Sequence, residues 1–182
     1  LTGYATGFDP ADFSDREEPA IFQLAAICRA AIDEQYDPVG AGHARPLRQQ
    51  AAARLEDELA LIDELGLAGF FLLHHEVLEL ARECAREVRG RDSPRHFLPP
   101  GRGRGSSVGS IVCYLTGLSH VDPVAAGLPL GRFLNRELAA VPDIDLDFPR
   151  DIREKLIVAV CDRYGREHAA LVASFATYRS RG

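Results

Sequence analysis

Residues 141–149 alternate three carboxylates with apolar side chains and read Val141-Pro142-Asp143-Ile144-Asp145-Leu146-Asp147-Phe148-Pro149. This acidic segment has a period of two, which is typical of a β-strand whose two faces meet different surroundings. Asp143 and Asp145 then project to the same side, about 6.7 Å apart at a rise of about 3.3 Å per residue. Because neighbouring like charges destabilise a strand, the pattern predicts a counter-charge that the chain does not supply. A hard divalent cation would meet that need.

The composition predicts a protein with a sizeable core and no general affinity for nucleic acid. The 182 residues are 46% hydrophobic and carry a formal net charge of -6, which suits one domain or one and a half. Any phosphate must therefore meet a local basic cluster. No apolar run reaches the roughly 18 residues that span a bilayer, and no leader peptide opens the chain. We expect a cytoplasmic protein with no membrane partner.

The cysteine and methionine content indicates the cellular compartment of the protein and whether the sequence is part of a longer chain. The four cysteines show no Cys-x-x-Cys spacing, which favours reduced thiols of a cytosolic protein. The sequence contains no Met, and this predicts an internal piece of a longer polypeptide.

Helical periodicity organises most of the chain before the acidic segment. We expect residues 1–46 to form an N-terminal segment that is partly loop and contains one short helix, and residues 47–182 to form the main domain. Pro and Gly set the predicted ends. The predicted elements are a helix at 20–29, a linker at 38–46, helices at 47–65 and 70–89, a helix at 151–164 and a strand at 169–176.

His74 and His75 are adjacent in the second long predicted helix. Neighbouring helical residues point about 100° apart, so the two rings cannot chelate one ion together. Packing or surface roles are favoured.

A glycine loop, residues 100–110, precedes an apolar helical run and reads Pro100-Gly101-Arg102-Gly103-Arg104-Gly105-Ser106-Ser107-Val108-Gly109-Ser110. A glycine- and serine-rich turn that opens a helix can bind phosphate through exposed backbone N–H groups and the helix dipole. It is not a P-loop, because no Lys-Ser or Lys-Thr follows the glycines. A flexible connection explains the loop equally well on its own. Its position some forty residues before the acidic segment favours phosphate binding.

Arg132 is the arginine best placed to reach a phosphate from the side of the glycine loop, because its forked donors suit phosphate oxygens. A surface ion pair or a solvated side chain is the alternative.

These motifs together resemble the palm domain of bacterial C-family DNA polymerases, the alpha subunit of DNA polymerase III and its error-prone relatives. The resemblance covers about residues 54–182 and implies an α/β (α+β) fold. That fold is a polymerase-beta-like nucleotidyltransferase palm with a small mixed sheet flanked by helices, and residues 47–182 would be its first part. The motifs are Gly103-Arg104-Gly105-Ser106, Gly109-Ser110, Gly131-Arg132-Phe133-Leu134-Asn135, Pro142-Asp143-Ile144-Asp145-Leu146-Asp147-Phe148 and Tyr164-Gly165-Arg166.

The resemblance implies a site for deoxynucleotidyl transfer to a primer 3′-hydroxyl. Asp143 and Asp145 would be two of three aspartates that hold two Mg²⁺ ions, whereas Asp147 would not be a ligand. Gly105 and Ser106 would cradle the triphosphate, and Arg132 would face it. The implied partners are primer-template DNA, a deoxynucleoside triphosphate, a sliding clamp and other replisome or repair subunits.

The sequence also departs from the family pattern. Leu138 stands where many relatives carry a basic residue, and Ser106-Ser107-Val108 replaces smaller residues. The third catalytic aspartate is expected beyond Gly182, so we expect the 182-residue chain to lack polymerase activity by itself.

Three alternatives remain open. Asp143, Asp145, Asp147 and Glu154 occupy positions one, three, five and twelve of an EF-hand calcium loop, but Phe148 replaces the glycine needed at position six. The others are a nucleotidyltransferase with a non-replicative task and a degenerate, non-catalytic interaction module.

Overall fold

The structure, a computed structural model, describes residues 19–36, 45–90, 93, 101–138, 140–170 and 172. Mostly helical, with a small sheet, it agrees with the predicted α+β class. The elements in chain order are α1 (Ala20–Tyr36), α2 (Arg45–Glu64), α3 (Ala68–Arg89), β1 (Arg102–Arg104), a 3₁₀ helix (Gly105–Gly109), α4 (Ile111–Leu115), β2 (Asp145–Asp147), α5 (Arg153–Tyr164) and a second 3₁₀ helix (Arg166–His168).

Two predicted helices have different ends in the structure. The prediction that α1 stops at residue 29 was wrong, because Cys28, Ile32 and Tyr36 continue its buried face at a spacing of four. α2 begins inside the predicted linker, and Pro46 lies in its first turn, where a missing N–H costs no hydrogen bond. The predicted loop at the N-terminus, the rest of the linker and most of the strand at 169–176 lie outside the described residues.

The short helix α4 lies at the centre of the core. α1 and α2 both pack against it, and α1 also contacts α2 and α3. Full burial of one large apolar side chain contributes roughly 1.5–3 kcal/mol, so these helix faces supply most of the favourable packing energy. The buried residues include Leu24, Ile32, Leu55, Leu59, Ile62, Phe71, Leu72, Leu78, Ile111, Val112, Cys113 and Leu115.

A second, smaller cluster joins α5 to α3. It consists of Ala81, Cys84, Ala85, Ile152 and Leu156. Beside it, the side chain of Arg89 is only 4% exposed and donates to Asp151, with Nε 3.0 Å from Oδ2 and Nη2 3.4 Å from Oδ1. This ion pair ties the end of α3 to the turn that follows the acidic segment.

Within the described part of the chain, the sheet consists of β1 and β2 alone, and they run antiparallel. No parallel pair accompanies them there, so the predicted mixed sheet is not observed in these residues. Ile144, Leu146 and Phe148 pack against the core, and this fixes which side of the acidic segment faces solvent.

The structure also bears on the expectations about the cysteines and about membrane-spanning helices. All four cysteines are free, and Cys28, Cys84 and Cys113 are buried. Across the described ranges, no helix combines the length and apolar character that a bilayer crossing requires.

Candidate active site

The sheet brings the glycine loop and the acidic segment side by side. In the register of the two strands, Arg102 lies opposite Asp147 and Arg104 lies opposite Asp145. The two strands are far apart in sequence, since 43 residues separate Arg104 from Asp147. Gly105 follows β1 directly, and a Cβ placed on it would lie 3.5 Å from Oδ2 of Asp145. The loop therefore reaches the acidic segment through backbone pairing.

The acidic segment keeps the predicted alternation but forms a shorter strand than expected. Asp143 precedes β2, and only Asp145 to Asp147 pair with β1. Asp143, Asp145 and Asp147 are exposed, whereas the apolar residues between them are partly buried. The acidic face is thus open to solvent and to any ligand that approaches it.

Arg104 supplies a counter-charge that the sequence did not reveal. Its Nη1 lies 3.5 Å from Oδ2 of Asp145, and its Nε donates to Oδ1 of Asp147 at 3.2 Å. The expectation that the chain places no counter-charge beside these acids was therefore wrong for Asp145 and Asp147. Asp143 forms no ion pair or hydrogen bond with the residues described. Since all three paired side chains are more than half exposed, the Arg104 contacts are weak.

The exposed carboxylates of Asp143 and Asp145 are the type of ligand that Mg²⁺ prefers. Mg²⁺ binds through one or two carboxylates and completes its shell with water and phosphate oxygens. Asp143 is without a partner in the described structure, and Asp145 has only a solvent-exposed arginine that a divalent ion can displace. The described residues contain no group of three or more His, Cys, Asp or Glu side chains able to hold a metal ion. An ion at Asp143 and Asp145 would therefore take its remaining ligands from water or phosphate oxygens.

The glycine loop does not present α4 to a phosphate as the sequence suggested. Between β1 and α4 lies the 3₁₀ helix, and Gly105 at its start has φ +75°, a left-handed conformation that favours glycine. Gly105 and Ser106 are exposed, while Ser107 is buried and donates its Oγ proton to the carbonyl of Arg104 at 2.9 Å. Only the start of the 3₁₀ helix is therefore available to an anion.

The N-terminus of α4 is already occupied by the carboxylate of Glu58. Oε2 accepts a hydrogen bond from the Ile111 N–H at 3.0 Å, and Oε1 accepts from Val112 N–H at 3.4 Å. Ser110 donates to Oε1 and in turn accepts from the N–H of Cys113 at 2.9 Å. A phosphate cannot use these N–H groups, so the predicted dipole contribution of α4 was wrong.

Arg132 lies on an exposed turn that the core holds in place. The following residues, Phe133 and Leu134, are buried, and the Phe133 ring meets Phe71 edge-on with centroids 6.1 Å apart. The chain just before this turn touches the glycine loop, since a Cβ on Gly109 would lie 2.6 Å from the carbonyl oxygen of Pro129. Arg132 forms no hydrogen bond or ion pair with described residues, which leaves its guanidinium available to a ligand.

Comparison with known proteins identifies the family. Residues 23–182 match the family model described as the bacterial DNA polymerase III alpha NTPase domain. The chain belongs to this family.

The relatives of this chain include proteins named error-prone DNA polymerase and proteins named DNA polymerase III subunit alpha. The chain is 33% identical over 159 residues to an error-prone DNA polymerase of Corynebacterium glutamicum, covering 87% of this chain and 14% of the relative. It is 43% identical over 131 residues to an error-prone DNA polymerase of Azoarcus sp., covering 72% and 11%. It is 34% identical over 165 residues to the DNA polymerase III subunit alpha of Halalkalibacterium halodurans, covering 91% and 13%. This member of the family spans about an eighth of the length of those proteins.

The sequence analysis missed Glu58, which holds the start of α4 beside the candidate site. It is fully buried, and burial raises its pKa to about 7 against the lowering effect of its hydrogen bonds and of nearby Arg54. A signal existed in the sequence. Glu58 follows Leu55 by three residues and precedes Ile62 by four, so it lies on the apolar face of α2.

The backbone of the chain does not fit the calcium-loop alternative. Asp145 and Asp147 belong to a strand paired with β1, whereas an EF-hand loop turns sharply around its ion. Glu154 lies in the first turn of α5 and is exposed.

The backbone contacts of the adjacent histidines agree with the packing or surface roles predicted for them. His74 Nδ1 lies 2.7 Å from the Phe70 carbonyl oxygen, and His75 Nδ1 lies 3.2 Å from that of Thr116. Burial lowers the pKa of His74.

Proposed function

We propose that this chain is part of a bacterial DNA-directed DNA polymerase and carries part of its nucleotidyl-transfer site. The observation that carries the proposal is the β1–β2 pairing, which places Gly105 against Asp145. A nucleotidyl-transfer site needs a metal-binding acid next to a surface that accepts a triphosphate. Family membership supports the same conclusion. The finer fold assignment, a polymerase-beta-like palm, is proposed with it.

In this proposal Asp143 and Asp145 hold Mg²⁺, with two ions bound once further ligands are present. The chemistry that bound Mg²⁺ supplies is a lowered pKa of the attacking 3′-hydroxyl and neutralisation of phosphate charge. Gly105 leaves room for the triphosphate beside Asp145 because it has no side chain. Ser106 offers a hydroxyl and a backbone N–H from the same exposed turn. Arg132 binds phosphate oxygens with its forked donors and holds the pyrophosphate as it leaves.

The proposed partners follow from the reaction. Primer-template DNA and a deoxynucleoside triphosphate are the substrates, and a sliding clamp with other replisome or repair subunits completes the assembly. The protein would act in the cytoplasm, where the bacterial chromosome lies. Relatives named for replicative and for error-prone enzymes both match, so the proposal covers either task.

The test uses the longer polymerase that carries this chain. Asp145→Asn keeps the size of the side chain and removes a metal-binding charge, so primer extension should fall by at least about 100-fold. Mg²⁺-dependent affinity for the deoxynucleotide should fall with it. Asp147→Asn is the matched control on the same strand, and it should keep most of the activity because Asp147 is not a proposed ligand.

Two results would contradict this assignment. Extension that survives Asp145→Asn would remove the carboxylate from the reaction. Nucleotide affinity that does not depend on Mg²⁺, together with absent extension by the unaltered polymerase, would favour the degenerate interaction module.

A further inference from the structure

Two charged side chains of α2 contact the end of the glycine loop and the segment that follows it. Arg54 and Glu58 are four residues apart and therefore lie on the same face of the helix. The Arg54 Nη2 donates to the Gly109 carbonyl at 2.5 Å, and its Nη1 donates to the Pro123 carbonyl at 3.3 Å. Glu58 accepts from Ser110, Ile111 and Val112. Helix α2 thus contacts the end of the glycine loop and the turn that begins at Pro123.

The contacts reach the buried end of the 3₁₀ helix and the residue that follows it. The 3₁₀ helix has only five residues, and short helices of this type have poor internal hydrogen bonds. Its first residues, Gly105 and Ser106, are exposed. Its last residue, Gly109, is held by Arg54 and is followed at once by Ser110, which is held by Glu58. The position of the exposed end is therefore set on one side by the β1–β2 pairing and on the other by the anchor at the buried end.

Satisfying the end of α4 does not by itself require a buried acid. Ser110 already caps the helix through the Cys113 N–H, and a carboxylate in the core has a high desolvation cost. What Glu58 adds is a single acceptor group for three donors from consecutive residues, which fixes the direction in which the chain enters α4. Arg54 adds the same constraint one residue earlier and extends it to Pro123.

We infer that Arg54 and Glu58 are positioning residues for nucleotide binding, which hold the glycine loop and the segment leading to Arg132 in one arrangement opposite the acidic segment. The inference rests on the proposed function. Neither residue touches the acidic segment or a ligand. Their effect on binding passes through the backbone of residues 105–110 and through the turn after Pro123.

The charge state of Glu58 gives the inference a specific readout. Burial raises its pKa to about 7, and the groups that face it are Arg54 from α2, Cys28 from α1, and Ser110 with Cys113 from the α4 end. The ionised carboxylate accepts all three donors, whereas the neutral acid must place a proton among them. Anchoring of the loop should therefore change across neutral pH.

The experiment uses the longer polymerase with Glu58→Gln, Arg54→Gln and the control Asp57→Asn. Asp57 is an exposed neighbour on α2 and forms no contact with the loop among the described residues, so its variant should behave like the unaltered enzyme. Glu58→Gln and Arg54→Gln should each speed hydrogen exchange of the Gly109–Cys113 amides about tenfold. They should also raise KM for the deoxynucleotide about tenfold, with a smaller change in kcat. The KM of the unaltered enzyme should vary between about pH 6 and pH 8, and that of Glu58→Gln should vary less.

Opposite results would overturn the inference. Unchanged exchange in both variants would show that α2 does not hold the loop. Faster exchange with an unchanged KM would show that the anchor does not matter for nucleotide binding. Arg54 is only partly buried, so Arg54→Gln decides the question if Glu58→Gln does not fold. Exchange is measured without nucleotide, so it judges the anchor even if Asp145→Asn disproves the polymerase assignment.

Discussion

Arg104 contacts the Asp145 carboxylate directly across the antiparallel sheet, with Nη1 3.5 Å from Oδ2. The strand on one side of the sheet therefore partly neutralises the acid on the other before any metal arrives. A divalent ion that binds Asp145 must compete with this guanidinium.

The first prediction concerns that competition. Arg104→Gln should raise the affinity of the 182-residue chain for Mg²⁺ by up to about fivefold, because an exposed ion pair contributes about 0.2–1 kcal/mol. Titration of the chain with Mg²⁺ alone, followed by NMR at the Asp145 amide, measures the change. Arg102→Gln is the control, since Arg102 also lies on β1 but forms no ion pair with the described residues. Equal affinities for both variants and the unaltered chain would contradict the prediction.

The second prediction concerns the left-handed turn at the start of the 3₁₀ helix. Gly105→Ala should lower the free energy of unfolding by about 1–2 kcal/mol, because φ is +75° and a Cβ is disfavoured there. The neighbouring Asp145 oxygen, 3.5 Å away, makes only an ordinary contact with that Cβ. Urea denaturation measures the loss. Gly131→Ala, where an added Cβ meets nothing within 4 Å, should cost much less. Similar losses at both positions would refute the explanation.

The third prediction concerns the pH dependence of stability. Burial raises the pKa of Glu58 from 4.5 to about 7, so the folded chain holds this proton more tightly than the unfolded chain does. The resulting stability is fully present below pH 4.5 and is lost as the pH rises through about 7. Unfolding free energies measured over this range should therefore fall more steeply for the unaltered chain than for Glu58→Gln. Asp57→Asn should follow the unaltered chain, and parallel curves for all three would show that Glu58 does not titrate in this window.

Periodicity made the elements around the site predictable. Ile144, Leu146 and Phe148 alternate with acids, and the structure buries the first set partly and exposes the second. α3 and α5 end at Gly90 and Gly165 as their sequences indicated. These features depend on local spacing, which one sequence contains in full.

Relations between distant segments were not predictable in the same way. The Arg104–Asp145 pair depends on the register between two strands, and neither strand specifies that register by itself. Glu58 was missed because a charged residue is ordinarily assigned to the solvent side of an amphipathic helix. Its burial makes sense only once α4 supplies donors to it. The site roles of Asp143, Asp145, Gly105, Ser106 and Arg132 stay predictions.

The central position of α4 has a consequence for genetics. Four of its five residues are buried in the core, and the glycine loop leads straight into them. Substitutions that loosen the packing of α1 or α2 should therefore also disturb the loop. Temperature-sensitive alleles should thus map to core positions such as Leu55 or Ile32, far from any substrate, and should be rescued by cooling.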